Sequence, residues 1–234
     1  MKSIDVKGAI VSDSVAELYD WFGIEATNPK KVIEALRDTE EVEVNINSGG
    51  GDVFAGSEIF TALKNHKGHV TTKIVGLAAS AASVIAMGGD KVLISPTAQL
   101  MIHNVSTSIN GDYRDFKHAS DTLKSANQSI INAYKTRLNK TDQELQKMMD
   151  NETWFNADTA LAHGFVDEIM FTEDNKQFGG QLVASAGGLL LNDQMLSKIA
   201  EMMEKEKQLE NQKNTALQEA KLKLMKMRGT TNEN

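Results

Sequence analysis

Three short stretches contain the residues of this sequence that could do chemistry. Residues 47–52 read Asn-Ser-Gly-Gly-Gly-Asp, residues 76–83 read GLAASAAS, and residues 99–104 read QLMIHN. The glycines leave backbone N–H groups uncovered, which suits an anion site or an oxyanion hole. Ser80 stands among residues with almost no side chain, so a substrate backbone can approach its hydroxyl closely. His103 ends an apolar run, where a general base could emerge at a strand tip.

Each stretch taken alone favours a structural role. The glycine run would be a tight turn, the serine would bond back to a helix carbonyl, and the histidine would lie in an ordinary loop. A nucleotide-phosphate site is disfavoured because the sequence has neither GxxxxGK[ST] nor GxGxxG. Together and in this order, the three stretches are the parts of a serine hydrolase: a nucleophile, a base and oxyanion-binding amides.

Composition and charge disfavour several other classes of protein. The chain has 234 residues and 0 Cys, which excludes disulfides, thiolate metal sites and a cysteine nucleophile and fits a reducing compartment. None of its 5 His residues is paired at i, i+4, so we expect no metal and no cofactor. A net charge of −7 disfavours a general nucleic-acid binder.

Membrane and export signals are also missing from the sequence pattern. The most apolar stretch, Ile74–Gly89, is rich in Ala, Gly and Ser and is shorter than the roughly 20 residues of a membrane span. The first residues, MKSIDVKGAI, contain no apolar region followed by a small-residue cleavage site. We therefore expect no membrane partner and a cytoplasmic location.

The elements that must position these residues alternate between strand and helix periodicity. The predicted strands are Ile4–Val11, Glu41–Ile46, His69–Val75, Lys91–Ile94, Gln99–Ile102 and, approximately, Val166–Met170. The predicted helices are Ser14–Phe22, Pro29–Arg37, Val53–Asn65, Ala79–Met87, a long one over about Asp112–Leu138, Thr141–Asp150 and Asn156–His163. Residues 47–52 are predicted as a turn. This β-turn-α repetition predicts an α/β fold with a largely parallel sheet.

The composition changes after Phe178. Four glycines bracket a small-residue stretch, which we interpret as a linker over 179–189. Beyond it, apolar residues such as Leu196, Ile199 and Met203 recur at heptad spacing, so 190–234 is predicted to be a helical tail that pairs with another helix. A solvated, fraying helix is the alternative. The predicted domains are thus 1–178, the linker and the tail.

The motifs INSGGGDVFAG, GLAASAAS and MIHN, in this order and at this spacing, resemble the ClpP family of self-compartmentalising serine peptidases. The resemblance runs from about Ile4 to Met170, which is most of the chain. The segments NSGGGDVFAG, AASAASVIAMGGD and ETWFNADTALAHGFVDE are most similar to the phage-encoded branch of the family, the head maturation proteases. The resemblance implies a ClpP/crotonase-like α/β fold with a long handle helix.

The resemblance implies a role for each matching residue. Ser80 matches the nucleophile and His103 the general base. Gly51 matches the glycine whose amide helps to form the oxyanion hole, with Gly50 beside it, and Ala81 would supply the second amide.

The third member of the triad is less closely matched. The family places an acid just before the segment Trp154–Ala157, which points to Glu152, although an aspartate is usual there. Asp150, two residues away, is the backup. Ser83 and Asp167 are interpreted as structural.

The resemblance also implies partners. The long helix from Asp112 matches the handle that packs rings back to back, so we expect a homo-oligomer of stacked heptameric rings acting on protein or peptide substrates. In that family an N-terminal axial segment usually precedes the first strand and helps in work with a ring ATPase. Here the strand begins by Ile4. Together with the added tail, this favours cleavage of capsid or scaffold protein, in the host cytoplasm or inside the phage prohead.

Three alternatives stay open. The chain could be a proteolytic subunit fed by a Clp ATPase, with the same chemistry. It could be a scaffold or assembly protein that uses the fold only structurally, although the intact Ser80 and His103 argue against this. A crotonase-type acyl-CoA hydratase would also use glycine-rich oxyanion amides, but it would not need GLAASAAS followed by MIH.

Overall fold

A computed structural model of the chain describes residues 2–37 and 40–172. Its strands are β1 (Lys2–Ile10), β2 (Ala26–Thr27), β3 (Glu41–Gly51), β4 (His69–Ala79), β5 (Lys91–Ile94), β6 (Gln99–Ile102), β7 (Thr153–Asn156) and β8 (Glu168–Ile169). Its helices are α1 (Asp13–Trp21), α2 (Pro29–Leu36), α3 (Val53–Lys64), α4 (Ala81–Ala86), α5 (Tyr113–Lys135), α6 (Asp142–Asp150) and α7 (Ala157–Ala162).

The strands form one sheet that divides at β4. The main order is β2-β1-β3-β4-β5-β8, and all of these neighbours are parallel. The first part of β4 pairs with β5 over residues 71–74, and its last residues, 77–79, pair with β6. β6 then pairs with β7, the one antiparallel contact in the described sheet. The predicted α/β fold with a largely parallel sheet is confirmed.

Alternating side chains give the sheet one apolar and one polar face. In β3, Val42, Val44 and Ile46 are buried while the residues between them are not. The buried set packs with the apolar side chains of α3 and α4, such as Ile59 and Ile85, to form the core. The apolar side chains of such a strand face the helices, because a register shift of one residue would turn them to solvent and bury the polar ones.

Capping side chains start the two helices that follow the site. The Asp112 side chain caps α5 by accepting a hydrogen bond from the backbone N–H of Arg114, and Thr141 forms a capping box with Glu144 before α6. The first part of α5 projects away from the core: residues 113–118 are all exposed, and its buried side chains begin at Ile130.

Several local predictions differ from the structure. Residues 47–51 are not a turn but the end of β3, because they continue to pair with β1 up to Gly51. The strand β4 likewise runs on to Ala79, so α4 begins two residues later than predicted. The strands β2 and β7 were not predicted: β2 has only two residues, and β7 has a single buried side chain, that of Phe155, and lacks the apolar run that marks β6. The linker 179–189 and the tail 190–234 lie outside the described residues. Within the described ranges, no helix is long and apolar enough to cross a membrane.

Candidate active site

Ser80 occupies the junction between β4 and α4 in an unusual backbone conformation. Its φ is 54° and its ψ is −123°, a region that non-glycine residues rarely adopt. Such strain persists only where the surroundings enforce it, and it recurs where a nucleophilic serine is presented on a sharp strand-to-helix turn. The backbone N–H of Ser80 donates to the carbonyl of Met101 at 3.0 Å, which ties the turn to β6.

Gly50 brings the end of β3 against this turn. Its φ is 97°, and a Cβ added there would lie 2.8 Å from both the Ala79 carbonyl oxygen and the Ser80 Cβ. The same atom would lie 3.1 Å from the Ala81 nitrogen. A glycine is therefore required for two reasons, its positive φ and the close approach to the serine.

His103 follows directly on β6 and reaches the serine. Its Nε2 lies 2.8 Å from the Ser80 Oγ. The parallel register that pairs Ala79 with Met101 sets this contact, because it aligns the end of β4 with the end of β6. A neutral imidazole that accepts the hydroxyl proton is the arrangement that turns a serine into a nucleophile.

Glu152 directly precedes β7, and His103 directly follows β6. β6 and β7 pair antiparallel up to Ile102 opposite Thr153, so both residues lie just beyond the last residue pair at this end of the two strands. Glu152 has a φ of 45°, an uncommon conformation for its type. Its carboxylate accepts a 3.4 Å hydrogen bond from the Trp154 indole N–H. Within the described residues, the Nδ1 of His103 has no hydrogen bond to a carboxylate.

Asp150 contacts the residue after His103 instead. Its Oδ1 accepts from the side-chain amides of Asn104 at 2.9 Å and Gln146 at 2.8 Å. The hydrogen bond from Asn104, followed by that from Gln146, holds the pKa of Asp150 below its ordinary value. The carboxylate therefore stays ionised while it anchors the Asn104 side chain.

Asn104 belongs to an amide network that the sequence did not indicate. Its Oδ1 accepts from Asn127 on α5 at 2.8 Å and from Gln146 on α6 at 2.9 Å. The Oδ1 of Asn127 in turn accepts from the backbone N–H of Val105. Side chains of two helices thus hold the segment that follows His103, and no local pattern could have shown that they meet.

The candidate oxyanion donors differ in what their amides already do. The N–H of Gly50 donates to the Ser48 Oγ at 3.1 Å, so this amide is engaged. At Gly51, the hydrogen bond to β1 is made by the following residue: the N–H of Asp52 donates to the Ile10 carbonyl at 2.8 Å. Ala81 is the first residue of α4, where an N–H has no acceptor within its own helix. Gly51 and Ala81 are therefore better suited as donors than Gly50.

The two residues interpreted as structural have buried or half-buried partners. Ser83 is fully buried, and its Oγ contacts the Ser80 carbonyl and the hydroxyl of Tyr134. Asp167 accepts from the Val92 N–H at 2.7 Å and pairs with Arg137. Burial raises the pKa of Tyr134 above its ordinary value, so its hydroxyl keeps its proton.

Metal-ligating side chains do not gather near this site. Across the part of the chain that the structure describes, no group of three or more His, Asp and Glu residues is placed to hold a metal ion.

Comparison with known proteins gives matches over the same region. The family model described as Clp protease matches residues 29–173. A protein of Deinococcus radiodurans, named ATP-dependent Clp protease proteolytic subunit, is 26% identical over 153 residues, which cover 64% of this chain and 74% of the relative. A protein of the same name from Streptococcus pyogenes serotype M5 is 30% identical over 148 residues, covering 62% of this chain and 76% of the relative.

At the carboxyl edge of the parallel sheet, a strained serine is hydrogen-bonded to a histidine. Together with these matches, this arrangement defines a serine endopeptidase. The chain belongs to the Clp protease family. The resemblance drawn from the three motifs is thereby confirmed at the level of the family.

Proposed function

We propose that the protein hydrolyses peptide bonds with Ser80 as nucleophile, His103 as general base and Glu152 as the acid that orients the histidine. The observation that carries this proposal is the 2.8 Å contact between the Ser80 Oγ and the His103 Nε2, at a serine with a φ of 54°. The pairing of Ile102 with Thr153, the residues next to His103 and Glu152, supports Glu152 as the third member. Hydrogen bonds of catalytic groups are often loose before substrate binds, so a contact to Nδ1 is expected to form in the complex.

The steps follow from these positions. The Oγ of Ser80 attacks the substrate carbonyl carbon while its proton passes to the Nε2 of His103. The carbonyl π electrons move to the oxygen, and the amides of Gly51 and Ala81 bind the resulting oxyanion. The C–N bond then breaks as His103 returns the proton to the leaving amine. A water molecule, deprotonated by His103, attacks the acyl ester and releases the carboxylic acid and Ser80.

Ser80→Ala tests this assignment. Loss of a nucleophile costs on the order of 10⁶ in kcat, so the variant should show no hydrolysis of a fluorogenic peptide and no labelling by a fluorophosphonate. Ser14→Ala, at an exposed serine of α1, is the matched control and should behave as wild type. Turnover by Ser80→Ala near the wild-type rate would contradict the proposal.

For the biological substrate, we propose capsid or scaffold protein during phage head assembly. The similarity of NSGGGDVFAG and ETWFNADTALAHGFVDE to the head maturation proteases supports this role. The purified protein should cut a capsid or scaffold precursor encoded beside its own gene without ATP. A portal gene before it and a major capsid gene after it would be the expected neighbours.

The names of the relatives favour a second candidate. Both are called ATP-dependent Clp protease proteolytic subunits, so this chain could work with a Clp ATPase in protein degradation. Cleavage of a folded protein only in the presence of a Clp ATPase and ATP, with no cleavage of the capsid precursor alone, would select this candidate.

We infer that the protein assembles into rings through α5. The first part of this helix is exposed, and Phe116 is 55% accessible although it belongs to the apolar stripe of the helix. Phe116→Asp should reduce the sedimentation coefficient of the assembly, whereas Lys117→Asp on the neighbouring position should change it less. An unchanged coefficient in Phe116→Asp would contradict this role of α5.

We also infer that residues 190–234 select the partner protein. A chain truncated before residue 190 should hydrolyse a short peptide as the full chain does, and it should co-sediment less with capsid or scaffold protein. Loss of peptide hydrolysis on truncation would show that these residues belong to the peptidase itself.

A further inference from the structure

A buried serine one turn after the nucleophile contacts the nucleophile's own carbonyl. The Oγ of Ser83 lies 2.6 Å from the Ser80 carbonyl oxygen and 2.8 Å from the hydroxyl of Tyr134 on α5. Ser83 is 0% exposed and Tyr134 is 1% exposed. We propose that Ser83 and Tyr134 are positioning residues that fix the peptide group between Ser80 and Ala81. This inference rests on the proposed function of Ser80.

The direction of both hydrogen bonds follows from what each group can donate. The Ser80 carbonyl can only accept, so the Ser83 hydroxyl must donate its single proton to it. The Tyr134 hydroxyl must then donate to the Ser83 Oγ. Burial raises the pKa of Tyr134, so this donor keeps its proton over the pH range in which proteins are assayed. The result is a directed chain from Tyr134 through Ser83 to Ser80.

This chain acts on the candidate oxyanion donor through the planarity of the peptide bond. The carbonyl of Ser80 and the N–H of Ala81 belong to one peptide group, and the structure contains no cis bond among its described residues. In a planar trans group the two point in opposite directions, so holding the carbonyl also aims the N–H. Hydrogen bonds in series polarise one another, which makes the Ala81 N–H a stronger donor.

The peptide group needs such a restraint because Ser80 is strained. With a φ of 54° and a ψ of −123°, the residue would relax if its neighbours allowed it. The backbone N–H groups of Ser83 and Val84 also donate to the Ser80 carbonyl, at 3.0 and 3.4 Å. The Ser83 hydroxyl is the nearest of the three donors, and it is the one anchored outside α4.

The test compares the transition state with the ground state. Removing an oxyanion donor outright costs roughly 10²–10³ in kcat, so loosening one through Ser83→Ala should cost about tenfold. The KM for a short peptide should stay within about twofold, because this interaction is made only in the transition state. A peptide aldehyde, whose carbon bonds to the Ser80 Oγ while its oxygen becomes an oxyanion, should bind about tenfold more weakly.

A second variant separates positioning from stability. Ser83→Ala leaves the buried Tyr134 hydroxyl without its partner, so its Tm should fall. In the double variant Ser83→Ala/Tyr134→Phe the Tm should recover while kcat and aldehyde affinity stay low. The matched control is Thr72→Val, which removes a buried hydroxyl that donates to the Ala86 carbonyl at the other end of α4. This variant should leave kcat and aldehyde affinity unchanged.

Recovery of kcat and aldehyde affinity together with the Tm in the double variant would show that Ser83 is only structural and would overturn the proposal. If Ser83→Ala keeps the kcat of the wild type, and the wild-type protein reacts with fluorophosphonate at Ser80, this inference alone would be overturned. A wild-type protein that neither reacts nor hydrolyses would overturn the proposed function as well.

Discussion

Gly50→Ala is the substitution whose effect the structure defines most sharply. The added methyl group would point at the turn that carries the nucleophile, 2.8 Å from the Ser80 Cβ and from the Ala79 carbonyl oxygen. Two carbon atoms pack well at roughly 3.5 Å, so Ser80 would have to move by about 0.7 Å. The φ of 97° at Gly50 adds backbone strain for any side chain.

The expected loss of activity follows from that displacement. A misplacement of about 1 Å at a reacting group can cost around 10² in rate, and a shift of this size affects both the contact to His103 and the oxyanion donors. We therefore expect kcat/KM of Gly50→Ala to fall by about 10², which corresponds to about 2.7 kcal/mol of transition-state stabilisation. Fluorophosphonate labelling of Ser80 should slow in parallel.

The neighbouring glycine provides the control. A Cβ at Gly49 would meet nothing within 4 Å, so Gly49→Ala should keep the wild-type kcat/KM. Both variants would be assayed on a short fluorogenic peptide, with circular dichroism to verify folding. A folded Gly50→Ala protein with wild-type kcat/KM would refute the argument, and an equal loss in Gly49→Ala would show that the whole segment is sensitive.

Four further predictions concern other polar groups of the structure. Glu152→Gln should lower kcat by roughly 10⁴ while Asp150→Asn, which keeps an acceptor for Asn104, lowers it little; the reverse order would make Asp150 the third member. Because hydrogen bonds lower the pKa of Asp150, its contribution to stability is complete above the ordinary value near 4 and is lost as the pH falls through the lowered value. The difference in free energy of unfolding between wild type and Asp150→Asn should therefore shrink in acid, and a constant difference would contradict this. Asn104→Ala should lower kcat about tenfold by freeing the segment after the candidate base, and a wild-type kcat would show that the amide network is dispensable. Arg137→Met should lower the free energy of unfolding by about 2 kcal/mol, because its guanidinium bonds two backbone carbonyls and a carboxylate from an 11% exposed position, and kcat should stay unchanged.

Local patterns in the sequence were enough to locate most elements and to propose the main site residues. The alternation in Glu41–Ile46 and the apolar run Gln99–Ile102 predicted strands, and the three- and four-residue spacing after Asp112 predicted the long helix, because such periodicities depend only on neighbouring residues. The glycine run and the small residues around Ser80 also marked the site, since both allow a backbone to approach closely. The structure does place Ser80 and His103 in contact, as the order of the motifs predicted.

Only the tertiary structure decided how the site is held together. The pairing of β6 with β4 aligns His103 with Ser80, and the pairing of β6 with β7 ends at Ile102 and Thr153, the residues next to His103 and Glu152. The sequence did not indicate β7. Residues 47–51 look like a turn but extend β3, because pairing with β1 continues to Gly51. The contact between Ser83 and Tyr134 joins residues that are 51 positions apart. Such contacts depend on strand register and on the packing of α5 against α4, and no local pattern specifies either.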